Sequence, residues 1–211
     1  MSLFYCIKSK LLTEMKTRAA LTAEIAEKSV FLYSSSQKIN TMRIFLIGYM
    51  GSGKTTFGRL VAEQTGLNFI DTDSYIENQQ HKTIPEIFAE LGEEKFRELE
   101  RDCLNDVSKL EDVMISTGGG MPCYFDNMEL MNRNGETIYI RFTPEELTDR
   151  LKTTQIHSRP ILGSIPANDL LPFITKNLHK REPFYNQAKF IVRGTDEDII
   201  RQINEYIRKK E

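Results

Sequence analysis

From residue 42 onward the chain alternates two kinds of apolar pattern. Short, nearly continuous apolar runs occur at Arg43–Ile47, Asn68–Ile70, Val113–Ser116, Thr137–Phe142 and Lys189–Val192. Their length and β-rich make-up predict strands. Between them lie longer stretches with apolar residues at helical spacing. Phe57, Leu60 and Val61 fall this way within Thr55–Gln64, and Ile199, Ile200, Ile203 and Ile207 within Asp196–Arg208. Thr83-Ile84-Pro85-Glu86 and Thr143-Pro144-Glu145-Glu146 each place Glu three residues after Thr, the capping-box spacing that opens a helix. The first helix continues past Gly92 over Glu93–Leu110, and the second runs towards Leu151. Residues 152–168 hold Pro160, Gly163 and Pro166 and no acidic residue, and read as a loop. Strand–helix alternation of this kind implies a parallel sheet covered on both faces, with ligands bound beyond the carboxyl ends of its strands.

Residues 1–41 follow a different pattern. They close in the polar, linker-like run Ser34-Ser35-Ser36-Gln37-Lys38-Ile39-Asn40, and Ala19, Ala20, Ala23 and Ala26 favour a helix within 13–33. The segment is basic, but Glu14, Glu24 and Glu27 argue against a transit peptide, and no apolar h-region marks a secretory signal. We read 1–41 as an extension that the fold does not need, and 42–211 as the folded domain.

Composition narrows the function classes. Of 211 residues, 40% are apolar and 27% charged, as in an ordinary globular domain. A formal net charge of −2 gives no basic excess to recruit nucleic acid. The uninterrupted apolar runs are far shorter than a membrane-spanning helix requires. Cys6, Cys103 and Cys123 are odd in number and lack CxxC spacing, so they read as reduced thiols of a cytoplasmic protein. His81, His157 and His179 show no ligand spacing.

The strongest chemical signal is Gly48-Tyr49-Met50-Gly51-Ser52-Gly53-Lys54-Thr55, which fits GxxxxGK[ST] between a predicted strand and a predicted helix. Glycines let the loop wrap so that backbone N–H groups point inward at a phosphate, and the helix adds its positive end. Lys54 supplies a cation to the β/γ-phosphates and Thr55 a hydroxyl to Mg²⁺. After the second strand, Asp71-Thr72-Asp73 sets two carboxylates on the same side of an extended chain. Alone they read equally as a helix N-cap. Beside a phosphate loop, a role in the site is favoured for both.

Arg97 and Glu100 lie three apart on a predicted helix, where spacing alone favours a solvated salt bridge. Gly118-Gly119-Gly120 closes the third strand and admits either a ligand or a tight turn. Arg159 and Lys152 sit in the acid-free loop, which reads either as a lid over phosphate charge or as solvated surface. Arg181 precedes Glu182-Pro183-Phe184-Tyr185 and is equally readable as exposed.

Taken together, GYMGSGKTT, the FIDTD run ending at Asp73, GEEKFRELE, STGGG, SRPIL and REPFY resemble the shikimate kinase family of P-loop small-molecule kinases, over about residues 43–210. The resemblance implies an α/β fold with five parallel strands in the order 2-3-1-4-5, helices on both faces and a mobile lid at about 152–168. It implies ATP-dependent phosphorylation of the 3-hydroxyl of shikimate, with Mg²⁺ as cofactor and ATP and shikimate as partners of a monomer. The implied nucleotide contacts are Gly51, Ser52, Gly53, Lys54, Thr55, Thr56 and Arg159, with Thr55 and Asp71 at the metal. Asp73 is implied to bind the ring hydroxyls and take or orient the acceptor proton. Arg97 and Arg181 would grip the carboxylate, Glu100 would position Arg97, and Gly118, Gly119 and Gly120 would line the pocket. Lys54, Asp73 and Arg159 form the implied catalytic set. The match is looser where adenine would pack, near Arg150, Lys152 and Val192-Arg193-Gly194-Thr195. A kinase of gluconate or a nucleoside monophosphate, or a nucleotide-binding protein without catalysis, shares the phosphate loop but not the full set.

Overall fold

The computed structural model describes residues 41–153 and 165–210. The extension expected over 1–41, apart from Thr41, and Arg159 and His157 of the expected lid lie outside these residues. The described chain builds one sheet of five strands, β1 (Arg43–Ile47), β2 (Asn68–Asp71), β3 (Val113–Ser116), β4 (Glu136–Ile140) and β5 (Phe190–Val192). All neighbours pair in parallel, in the order β2-β3-β1-β4-β5 that the resemblance implies.

β1 lies at the centre. Its Ile44, Phe45, Leu46 and Ile47 are each 1% exposed or less. Successive strand residues face opposite sides, so full burial of four in a row requires cover on both faces. Helix α1 (Lys54–Thr65) supplies Phe57, Val61 and Ala62 to the core, and it packs beside the C-terminal α7 (Asp196–Arg208). In α7, Ile199, Ile203 and Ile207 form the buried stripe, and Thr195 and Asp198 cap its start reciprocally. The two expected capping boxes are present. The Thr83 N–H donates to Glu86 (2.8 Å) at the head of α3 (Ile84–Val107), and the Thr143 N–H to Glu146 (2.7 Å) at the head of α5 (Pro144–Thr153). Gly92 interrupts α3 with φ 76° and ψ 175°, separating its first two turns from the rest.

Three helices did not show in the sequence pattern. α2 (Thr72–Gln80) buries only Thr72 and Ile76, and α4 (Asn127–Asn134) only Asn127, Met128 and Met131, too few to set a period. α6 (Leu170–Tyr185) places Leu170, Ile174 and Leu178 at four-residue spacing, but Pro183 interrupts its sequence signal. α5 packs beside α6, and α2 beside α3. No helix of the described residues is long and apolar enough to cross a membrane.

The connection from α4 into β4 runs very close to β1. A Cβ at Gly135 would stand 2.4 Å from the Arg43 carbonyl oxygen and 3.0 Å from the Phe45 ring. Both are fixed parts of the central strand, so neither can give way cheaply. Gly135→Ala is therefore expected to destabilise the domain by about 1–3 kcal/mol, read as a lower denaturant midpoint at unchanged slope in equilibrium unfolding.

Candidate active site

The carboxyl ends of β1, β2 and β3 meet at one cavity of about 920 Å³. Its wall contains Gly51, Gly53, Lys54, Thr55, Thr56, Asp71, Asp73, Arg97, Gly118, Gly119, Gly120 and Arg181. These are the residues singled out from the sequence, apart from Ser52, and from Arg159, which lies outside the described chain. Ser52 is fully buried, and its N–H closes the turn onto the Tyr49 carbonyl at 3.2 Å. It shapes the loop behind the cavity wall.

The phosphate loop runs from Gly48 into α1. Gly51 and Gly53 both hold φ 81°, a left-handed conformation that costs glycine little. The Lys54 ammonium, largely buried, donates to the carbonyls of Gly48 (2.9 Å) and Tyr49 (3.0 Å), so the cation is curled under its own loop. Thr55 opens the helix. Its hydroxyl donates to Asp71 Oδ2 at 2.7 Å and lies 3.3 Å from the buried Ser116 hydroxyl. Three oxygen donors from β2, β3 and α1 thus converge beside the phosphate loop. Ser116 was not distinguished by the sequence, because a serine ending a strand has no pattern of its own.

Asp71 and Asp73 differ from the extended-chain expectation. The strand stops at Asp71, which caps α2 by accepting from the N–H groups of Asp73 (3.1 Å) and Ser74 (3.3 Å). Both sequence readings hold in part: one oxygen of Asp71 caps the helix while the other faces Thr55. Asp73 sits in the first helical turn, and both carboxylates still line the cavity. Thr72 between them is buried and accepts from the Gly118 N–H at 2.9 Å, tying β2 to the glycine loop.

The triple glycine is packed against charge. A Cβ at Gly118 would stand 2.7 Å from Asp73 Oδ1 and 2.9 Å from Glu100 Oε1. At Gly120 it would stand 2.6 Å from a terminal nitrogen of Arg97, and at Gly119 it would stand 3.7 Å from one of Arg181. At Gly118 and Gly120 side chains are excluded because the charged groups occupy their space, a stronger reason than a tight turn.

Arg97 is not the solvated partner that spacing favoured. Its guanidinium donates to Glu100 at 2.6 Å and to Glu93 at 2.9 Å, and it lies 4.0 Å from the Tyr124 ring centroid. Glu100 is 2% exposed. Arg97 Nε is buried and has no hydrogen-bond partner among the described residues. Arg181 lies over the Tyr49 ring, within α6 and half-buried, not the exposed residue it could have been. Burial depresses its basicity, but Tyr185, Tyr49 and Cys123 more than offset this and leave it raised. At the far end of the cavity, Arg150 donates to Gly51 O (3.2 Å) and pairs with Asp196 (2.6 Å). Lys152 does not line the cavity and stands 3.9 Å from Asp149. The apolar wall comes from Ile84, Pro85, Phe88 and Phe96, none of which the sequence distinguished from core. Cys123 is held up at about 11, mainly by burial, and is no nucleophile at neutral pH.

Such a cavity offers a phosphate cradle, a hard-oxygen cluster, a carboxylate and two desolvated guanidinium groups. That set suits phosphoryl transfer to a small hydroxylated acid. Among the described residues, no group of three or more His, Cys, Asp or Glu side chains could hold a metal alone.

Comparison with known proteins agrees with the geometry. The family model described as shikimate kinase matches residues 50–210. A shikimate kinase of Parabacteroides distasonis is 53% identical over 146 residues, covering 69% of this chain and 84% of that one. One from Phocaeicola vulgatus is 47% identical over 171 residues, covering 80% and 97%. The crystal structure of shikimate kinase from Bacteroides thetaiotaomicron superposes with a TM-score of 0.75 at 44% identity, covering 80% of this chain and 99% of that one. That of the Acinetobacter baumannii enzyme in complex with shikimate gives 0.70 at 30%, covering 80% and 92%.

Glu100 makes the site's electrostatics measurable. Burial pushes its carboxyl up, Arg97 pulls it down, Asp73 pushes it up again, and the outcome is about 7. Folded Glu100 therefore keeps a proton that the unfolded chain releases near the ordinary value of about 4.3. Its contribution to stability is greatest below that value and is lost as pH rises towards about 7. In urea unfolding between pH 4.5 and 7.5, the wild type is expected to lose stability relative to Glu100→Gln as pH rises. A constant difference would show that Glu100 is ionised throughout.

Proposed function

The chain belongs to the shikimate kinase family, an ATP-dependent kinase family, and from that membership we propose how its cavity transfers phosphate to the 3-hydroxyl of shikimate. The observation that carries the reading is that Arg97 and Arg181 border adjacent glycines of one loop, on the same cavity as the phosphate loop.

The γ- and β-phosphates of ATP lie against the Gly48–Thr55 loop and the positive end of α1. Lys54 exchanges the Gly48 and Tyr49 carbonyls for phosphate oxygens as the nucleotide enters. Thr55, Asp71 and the nearby Ser116 are hard oxygen donors of the kind Mg²⁺ takes, and would hold it together with phosphate oxygens and water. When bound, that ion neutralises charge on the β- and γ-phosphates. Gly51, Gly53 and Thr56 complete the nucleotide wall, with Ser52 behind it, and the Arg150–Asp196 end receives the base.

Shikimate lies on Gly118–Gly120 with its carboxylate on Arg97 and Arg181. Arg97 Nε, a buried donor without a partner, gains one there. Glu100 holds the opposite edge of that guanidinium so that it meets the ligand in a fixed plane. Asp73, facing Gly118, takes or orients the proton of the attacking hydroxyl. As the bond from that oxygen to the γ-phosphorus forms, the bond from the γ-phosphorus to the bridging oxygen of ADP breaks. The transition state is loose, so catalysis is alignment and charge neutralisation. Arg159, from the lid expected at 152–168, would add a further cation at the phosphoryl group. A monomer in a cytoplasmic, thiol-reducing compartment belongs to the same reading, supported by cysteine usage and the family resemblance.

The test is an acceptor panel. With MgATP, ADP release is expected with shikimate and not with gluconate or nucleoside monophosphates. Release with either alternative and none with shikimate would overturn the assignment. Arg97→Ala removes a charge-assisted pair and is expected to raise the KM for shikimate about 10- to 100-fold. The KM for ATP should stay within about twofold, read from initial rates with each substrate varied in turn.

A further inference from the structure

Tyr185 has no part in the chemistry above, yet it touches two of its components. It stands one helical turn after Arg181 on α6 and is fully buried, 0% exposed. Its hydroxyl donates to the Gly119 carbonyl at 2.6 Å. Its ring lies against Tyr139 of β4, centroids 5.1 Å apart. Gly119 is the middle residue of the glycine loop, and a Cβ there would be 3.7 Å from Arg181. Tyr185 is therefore anchored by its ring to the sheet, by its backbone to the helix that carries Arg181, and by its hydroxyl to the loop the substrate rests on.

Burial pushes the Tyr185 hydroxyl far above its ordinary value, with Arg181 only partly opposing the rise, so the group stays a proton donor at every working pH. A short bond from a permanent donor to a buried carbonyl fixes distance and direction together. Neither the glycine loop nor a long arginine side chain has much rigidity of its own.

We propose that Tyr185 is a positioning residue: by tying the Gly119 carbonyl to the turn of α6 that carries Arg181, it sets the angle at which that guanidinium meets the acceptor carboxylate. This rests on the carboxylate role given to Arg181 above.

Tyr185→Phe keeps the ring and removes only the hydroxyl. The KM for shikimate is expected to rise about fivefold or more, the effect of one lost hydrogen bond, with the KM for ATP within twofold. A shikimate carboxamide, lacking the charge, should lose much less, so the preference for acid over amide narrows in the variant. Tyr139→Phe removes a hydroxyl from the same aromatic pair without touching the loop and should match the wild type in both KM values. Tyr185→p-aminophenylalanine restores a donor at the same place and should recover most of the loss. It also provides the measurement if the Phe variant does not fold.

An unchanged KM for shikimate in Tyr185→Phe, or an equal rise for both substrates, overturns the proposal. So does an equal loss for acid and amide. Arg181→Ala separates the two levels. If it raises the KM for shikimate while Tyr185→Phe does not, only the positioning role fails. If it leaves that KM unchanged, the carboxylate role of Arg181 fails first.

Discussion

Two backbone loops, Gly48–Thr55 and Gly118–Gly120, lie against each other at van der Waals distance, and the site depends on that approach. Strands β1 and β3 are parallel neighbours, so the loops that leave them emerge at the same rim of the sheet. A Cβ on Gly119 would come 3.4 Å from both the Gly48 carbonyl and the Met50 nitrogen. Gly48 itself is pressed against β4, where a Cβ would be 2.8 Å from the Ile140 carbonyl. The loops proposed as nucleotide cradle and acceptor platform are thereby held together by main chain. Side chains then decorate the junction, which fixes the geometry before any of them is placed.

The charges around this junction are arranged by cost. Arg97 and Glu100 are buried together, and removing one would leave the other desolvated and unpaired. Glu93, at the outer edge of the same guanidinium, has a side chain 59% exposed and is lightly held by comparison. Tyr124 donates to Glu93 and stacks on Arg97, closing that edge. The inner partner is thus buried and the outer one faces solvent, and together they leave the guanidinium oriented before the carboxylate proposed to meet it arrives.

The sheet was legible because its strands are short apolar runs, and a buried strand such as β1 has few other ways to look. The phosphate loop was legible for a different reason: anion binding by backbone demands glycines at set places. Asp71 shows where spacing stops helping. An extended chain and a helix start both put the two aspartates near the site, and only the hydrogen bonds from Asp73 and Ser74 decide between them. Spacing alone favours a solvated Arg97, because it cannot report that Phe88, Phe96 and Tyr124 surround it, and only the family resemblance points to the site. Ser116 and Tyr185 lay beyond reach, since their roles arise from contacts 61 and 66 residues away along the chain.

The interruption of α3 at Gly92 sets its two segments at different phases. Of the apolar wall, Ile84, Pro85 and Phe88 precede it and Phe96 follows it, together with Arg97, proposed to meet the acceptor's carboxylate, and its partner Glu100. Across the break the two segments meet again through side chains, the Phe88 ring lying 4.3 Å from that of Phe96 and 5.9 Å from the Arg97 guanidinium. Evolution or a protein engineer that resizes Phe88 to retune which ring fits therefore also disturbs the packing around the arginine.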